Sequence, residues 1–439
     1  MEKNITKEMI EKFRKDYEDD TSAKVYTAAL AKSELLDVTF LQQEAAKLYD
    51  AFSIDLHTSG VMWQKQSGRC WLFAAMNIFR EIAAQKCNVD RMELSNNYIA
   101  FWDKFEKVNY YLEAAMECAD LEPSDRTMNW IARGFNDGGQ WDMMVGLVKK
   151  YGVVPECVMP ENAQSCSTRS FVMLLNTQLR KDMIELRKLV KEGKCAKTCK
   201  EEMLGRYFKA LCINYGEPPK SFDFVYVDKE KNYHVDHDLT PVKFYEKYVG
   251  MDLEEYVSVI NAPTKDKPYN CSYTVKYLGN IVGNKVRYLN LPMEELKELA
   301  ISQLKEGEPV WFGSDCGKYG SRPTGVWDQN SYTYEKMFGF DLNMSKAERL
   351  DYCDSAMNHA MLLTGVNLDT EGKPNRWKIE NSWGPEVGRK GYYVASDKWF
   401  DEFTYQIVIH KKFLSEKQME AFEKEPIELE PWDPMGSLA

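Results

Sequence analysis

The feature that most constrains this chain is a change of period part-way along it. Up to about residue 215 apolar residues recur at helical spacing. Ile5, Met9, Phe13 and Tyr17 lie four apart, "CWLFAAMNIFREIAAQ" from Cys70 reads as a buried helix opening at or beside the cysteine, and Leu175, Leu179 and Met183, then Met203, Tyr207 and Leu211, form two further stripes. After about residue 305 the apolar residues gather instead into short β-type runs, "PVWFG", "HAMLLTGV", "RWKIENSW" and "GYYVAS", separated by Gly, Pro and Asn. Between the two regimes lie the Pro-bearing loops "GEPPK" and "NAPTKDKPYN" with strand-like "FDFVYV" and "KVRYLNL" around them. The pattern predicts an α+β fold, helical first and closed by a sheet or small barrel. Beyond it come a helix-like "SEKQMEAFEKE" and an arm, "PIELEPWDPMGSLA", that three prolines hold extended.

At 439 residues the chain corresponds to roughly three domain equivalents. Its 44% hydrophobic and 13% aromatic content is that of a folded protein. A net charge of -11 works against nucleic acid and anionic lipid as partners, because the averaged field repels both. The basic stretch at 187–200 alternates cations with apolar residues and reads as a solvated helix face. The N-terminal twenty residues have no signal-like apolar block and no run of 18 apolar residues occurs, so a cytoplasmic protein without a membrane anchor is expected. Eleven scattered cysteines, an odd number, fit reduced thiols. Cys195 and Cys199 have a metal-compatible spacing but no second pair near them, and read as helix residues.

Acyl transfer by a thiol needs a thiolate, a base, a group that orients the base, and donors for the oxyanion. "WQKQSGRCWLFA" supplies Cys70 at a helix start, where free N–H groups and the macrodipole favour a thiolate, and Gln64 six residues upstream as an amide donor. By itself a cysteine beside an apolar run is a core residue. This segment, however, resembles the active-site segment of papain-like cysteine peptidases, and "QSGRCW" is similar to the bleomycin hydrolase and aminopeptidase C branch.

The resemblance extends downstream. His359, one of five histidines, enters the apolar run "SAMNHAMLLTGV", and "RWKIENSWGPEVGRKGYYVA" resembles the Asn-Ser-Trp-Gly block of the family. By that resemblance Asn381 holds the histidine and Trp383 shields the bond between them. An asparagine orients an imidazole without adding a charge to the Cys/His pair. "FNDGGQWDM" is similar to the family's Gly-Gly stretch, where Gly138 and Gly139 would let an extended substrate pair with the backbone; a simple turn is the other reading. "ELSNNYIAFWDKFEKVNYYLE" and "PWDPMGSLA" resemble the aminopeptidase C branch rather than papain.

The resemblance implies a papain-like two-half fold with a helical insert and a C-terminal arm. We expect an N-terminal helix docked on the core within 1–60, a helical half with the nucleophile at 61–160, a helical insert at 161–285, a β-rich half with His359 and Asn381 at 286–415, and an arm at 416–439 that brings Ala439 into the cleft. The implied activity is that of a cysteine aminopeptidase acting on peptides with a free N-terminus, without metal or organic cofactor, assembled as a homohexamer through the insert. Two other functions are compatible with parts of the pattern. An amidase or acyltransferase could use the same Cys-His-Asn set, and a nucleic-acid-binding scaffold would show salt-dependent retention on DNA.

Overall fold

A computed structural model describes residues 4–439. The helix Cys70–Lys86 is buried along most of its length, as its unbroken apolar run requires, and it crosses one face of a large mixed sheet. The sheet centres on Thr404–His410. That strand lies between Tyr256–Ile260 and Val310–Ser314, and beyond the latter follow His359–Leu368, Pro374–Glu380 and Tyr392–Ser396, each antiparallel to the one before.

The strand His359–Leu368 is apolar on both faces because both faces are covered. Ala360 and Leu362 pack with Cys70, Trp71 and Trp311 in the larger core. Met361 and Leu363 turn to the other core, where Phe312, Trp377 and Phe400 meet Leu296, Leu299 and Leu304 of the helix Met293–Lys305.

The insert differs from expectation. Its long helices end at Tyr215: these are Arg169–Lys191 and Lys197–Tyr215, whose predicted stripes, Leu175, Leu179, Met183, Met203, Tyr207 and Leu211, are all buried, and only short helical turns such as Pro241–Phe244 and Tyr245–Val249 come later. An exposed hairpin, Phe222–Val227 with Tyr233–Leu239, follows. The strands Tyr256–Ile260 and Cys271–Val275 then join the main sheet, because their apolar residues have period two rather than 3.6. The first stripe also departs from expectation. The helix Lys7–Asp19 forms, but none of its residues is buried, and Ile5, Met9, Phe13 and Tyr17 face outward. Cys199 is a helix residue as expected, whereas Cys195 lies in irregular chain just before that helix, and all eleven cysteines are unpaired.

The arm is anchored rather than merely stiff. Ile427–Leu429 adds a parallel strand beside Cys271–Val275, Asp433 pairs with the buried Lys267 at 2.8 Å, and the Arg126 guanidinium lies 3.7 Å from the Trp432 ring centre. The chain then turns at Pro434–Gly436.

Because the helix pair is built into the main core, truncating it will be felt by the whole molecule. Leu179→Ala is expected to lower stability by about 2–5 kcal/mol, the ordinary cost of emptying a buried leucine site. Urea unfolding of the variant checks this, and a change below 1 kcal/mol, on the order of a surface substitution, would contradict the packing.

Candidate active site

The nucleophile helix begins at Cys70 with no side-chain cap: Arg69 stands where a Ser, Thr or Asp would close the first N–H groups. Arg69 instead grips Glu161 through two 2.9 Å hydrogen bonds and donates to the Ser165 carbonyl at 2.7 Å. The helix N-terminus is therefore held open by its own preceding residue, and points at the Cys70 thiol.

Opposite it the strand His359–Leu368 starts. The N–H of Ala360 donates to Cys70 Sγ at 3.5 Å, which sets His359 beside the thiol. Asn381 Oδ1 lies 2.8 Å from His359 Nε2 and also accepts the Ser382 N–H at 2.7 Å. A backbone N–H can only donate, so this atom is the amide oxygen, and His359 Nε2 carries the proton it donates. Nδ1 is left with a free lone pair. The Trp383 ring stacks on the imidazole, centres 4.9 Å apart at 26°, and the Arg322 guanidinium lies over the indole ring at 4.8 Å.

Burial dominates the electrostatics. It pushes the Cys70 thiol up to about 11, against the N–H groups of Ala360, Trp71 and Cys70, with Asp137 adding to the rise. It pulls His359 down to about 4, against the hydrogen bond to Asn381. Burial thus opposes the thiolate that the helix start was expected to favour, and the imidazolium alike, when each is charged alone. Transfer of the thiol proton to Nδ1 creates two charges at once, and each supplies the partner that burial denies the other.

Gln64 is locked by the same block that holds Asn381. Its Oε1 accepts from Ser382 Oγ at 2.5 Å, its N–H donates to the Ser382 carbonyl at 2.8 Å, and Nε2 spends one hydrogen on the Ser67 carbonyl at 2.5 Å. The second amide hydrogen remains for the cleft. That cleft, about 590 Å³, is lined by Gln64, Cys70, His359, Gly138, Ser437 and Leu438 among others.

Three of the sequence expectations are revised here. The N–H of Gly138 donates to Asn136 Oδ1 at 2.6 Å and its carbonyl accepts from Lys107 Nζ at 2.5 Å, so its polar groups already have partners. It is the absent side chain that matters, because a Cβ would collide with the Leu438 carbonyl of the arm. Gly139 does not face the cleft at all. A Cβ there would meet the Trp71 ring at 2.5 Å, and Trp71 is fixed by a 2.7 Å bond from Nε1 to the Asp137 carbonyl. Ala439 lies beside the cleft, half-buried with Lys107, Asn136 and Trp130 around a cavity of about 30 Å³, while Ser437 and Leu438 line the cleft itself. The turn at Pro434–Gly436, which three prolines alone did not foretell, carries the last residue aside.

Asp137 was missed by the sequence reading. Its carboxylate accepts from Thr168 Oγ1 and from the Gly68 N–H at 3.2 Å, and pairs with the buried Lys104 at 2.6 Å. Burial opposes ionisation, yet Lys104 and these donors hold it well below the usual carboxylate range. A lysine at an apolar position of "YIAFWDKFEKV" was the available signal, since such a lysine must find a buried anion. Ser382 was likewise overlooked, though it sat inside the Asn-Ser-Trp-Gly block.

A thiol at an open helix N-terminus facing an asparagine-tethered imidazole across two halves of a fold defines the papain-like class of cysteine peptidase. The comparisons with known proteins agree: the model of the Peptidase C1-like family matches residues 4–436, and the chain belongs to that family. Aminopeptidase C of Listeria innocua is 47% identical over 441 residues, covering 100% of both chains. Aminopeptidase C of Lactococcus lactis subsp. lactis is 44% identical, covering 99% of this chain and 100% of its own. The crystal structure of PepW from Lactobacillus rhamnosis superposes with a TM-score of 0.98 at 46% identity, over 100% of each chain.

Gly139→Ala tests the wall of the site. The added methyl has nowhere to go but into Trp71, next to Cys70, so a loss of about 1–3 kcal/mol is expected. Thermal unfolding measures it, and an unchanged midpoint would show that Trp71 is free to move.

Proposed function

We infer that this chain is a papain-like cysteine aminopeptidase of the bleomycin hydrolase family, releasing N-terminal residues from peptides. The observation that carries the reading is the Ala360–Cys70–His359–Asn381 arrangement at a cleft whose far end is filled by the chain's own C-terminal arm.

In this mechanism His359 Nδ1 takes the proton of Cys70 Sγ as the sulfur attacks the scissile carbonyl. The oxyanion is met by the Cys70 N–H and the remaining Gln64 amide hydrogen. The imidazolium gives its proton to the leaving amine, a thioester remains, and a water deprotonated by His359 releases the amino acid. Asn381 keeps Nδ1 turned to the thiol throughout, and Trp383 covers that hydrogen bond. The arm acts as a stop: Leu438 against Gly138, with Ser437 Oγ bonded to the Met357 carbonyl at 2.6 Å, closes the side on which further N-terminal residues would lie.

A homohexamer is the assembly we propose, built through the N-terminal helix and the insert. The support is unpartnered apolar surface on those segments: Phe13 and Tyr17 on the first, Leu174, Ile184 and Val227 on the second. A cytoplasmic location accords with eleven unpaired cysteines. Among the described residues no helix is long and apolar enough to cross a membrane.

Cys70→Ser is expected to abolish release of amino acids from aminoacyl fluorogenic amides, and Asn381→Ala to lower kcat about ten- to a thousand-fold with little change in KM. Full activity in either variant would refute the assigned roles. Removing residues 436–439 should let the enzyme cleave N-terminally blocked peptides with Cys70 still required; a truncated enzyme that stays a strict aminopeptidase would deny the arm its part. Light scattering should give six times 51.0 kDa, about 306 kDa. A monomer at micromolar concentration would exclude the ring.

A further inference from the structure

Arg80 and Glu380 form the one direct ion pair, among the described residues, between segment 61–160, which carries Cys70, and segment 286–415, which carries His359 and Asn381. Arg80 sits on the nucleophile helix. Glu380 ends the strand Pro374–Glu380 and is the residue immediately before Asn381. Nη2 of Arg80 lies 3.1 Å from Glu380 Oε1, with the two side chains 2% and 0% exposed, and Asn77 Nδ2, one helical turn before Arg80, donates to the same oxygen at 2.8 Å. Arg80 also donates to the Gly60 carbonyl and lies 3.3 Å from Glu81. Glu380 Oε2 has no hydrogen-bond partner.

As a source of stability such a pair is a poor bargain, since desolvating both ions offsets most of their attraction. What it does supply is direction. One guanidinium nitrogen of Arg80 and the Asn77 amide fix one carboxylate oxygen from a rigid helix, and the next residue along the chain is the one that tethers His359. We propose that the Arg80–Glu380 pair is the strut that sets Asn381 and His359 at working distance from Cys70, which makes Glu380 a positioning residue for catalysis. This rests on the assignment of Cys70, His359 and Asn381 above.

The strut has a pH signature distinct from that of the imidazole. Burial pushes Glu380 up to about 7, with Glu81 adding to the rise and Arg80, Thr58 and Lys378 opposing it. Tyr392, hydrogen-bonded to Thr58 at 2.6 Å, closes the remaining side. As pH falls through 7 the carboxyl gains a proton, and Arg80 is left with only Glu81 and the Gly60 carbonyl. His359, held near 4, does not titrate in this window. The acid limb of kcat therefore belongs to Glu380.

The test is kcat and KM for Glu380→Gln over about pH 5 to 9, using saturating aminoacyl amide so that the substrate amine affects KM rather than kcat. At pH 8 the variant is expected to lose about tenfold in kcat with KM within about twofold, and its acid limb near 7 should vanish. The double charge reversal Arg80→Glu with Glu380→Arg should be more active than either reversal alone. Wild-type kcat in Glu380→Gln, or a reduced kcat with the acid limb intact, would overturn the proposal, the second outcome showing a merely structural role. Should the glutamine variant fail to fold, Glu380→Asp keeps the charge one methylene shorter, and undiminished kcat there would overturn it equally. Loss of the Cys70→Ser effect would instead undo the underlying assignment, so the two failures are separable.

Discussion

The thiol of Cys70 finds its backbone hydrogen-bond donor, Ala360, 290 residues further along the chain. A contact of that sequence separation forms only after the loops between have been closed, so the site is a product of the finished fold rather than of any local segment. The rest of the architecture can be understood as what keeps this one junction in register. The helix from Cys70 lies on the face of the sheet to which Ala360 and Leu362 point, while the other face of the same strand is sealed by the second core. A slip of the strand by one residue would send His359 to the wrong face. Burial on both faces forbids it.

Around the junction the protein takes several charged groups out of water: Lys104 with Asp137, Lys107 with Asp103 at 2.8 Å, and Arg69, whose partner Glu161 stays partly exposed. Burying ions is costly and seldom the cheapest way to stabilise a core. Their common property here is that each ties a loop that has no secondary structure of its own. Asp137 reaches the Gly68 N–H, Arg69 reaches the Ser165 carbonyl, and Lys107 reaches the carbonyls of Asn136 and Gly138. The loop that presents Gln64 and the turn that receives the arm are fixed by charge-assisted bonds where neither helix nor sheet could fix them.

This division explains what the sequence disclosed. The helices with a clear stripe and the strands after residue 305 were legible because burial on one or two faces imposes a period. Cys70, Gln64, His359, Asn381 and Trp383 were legible because they stand in short segments that resemble a known family. What escaped were partners reached through space. Asp137 has no local pattern of its own, the strands Tyr256–Ile260 and Cys271–Val275 are too short to outvote the helices before them, and the outward face of Lys7–Asp19 carries the same stripe a docked helix would. Gly138 and Gly139 show the limit most sharply. Adjacent and chemically identical, they serve different neighbours, the arm in one case and Trp71 in the other, and no one-dimensional reading distinguishes them.

Under the function proposed above, the arm would turn a general cleft into a selective one by geometry. Its extended part is bound as an added strand, its Asp433 is neutralised by the buried Lys267, and Met435 is wholly buried beneath the Tyr288 hydroxyl, which donates to the Met435 carbonyl at 3.2 Å. These anchors all precede Gly436. The last residues are therefore delivered to the cleft from a fixed point, with too little slack to swing away, and the entropy of ordering them was already spent when the strand formed. A separate inhibitory peptide in the same place would dissociate at a rate set by its own affinity. A covalently attached arm anchored three residues away remains at high effective concentration, so even weak contacts such as Ser437 Oγ to the Met357 carbonyl suffice to keep it seated.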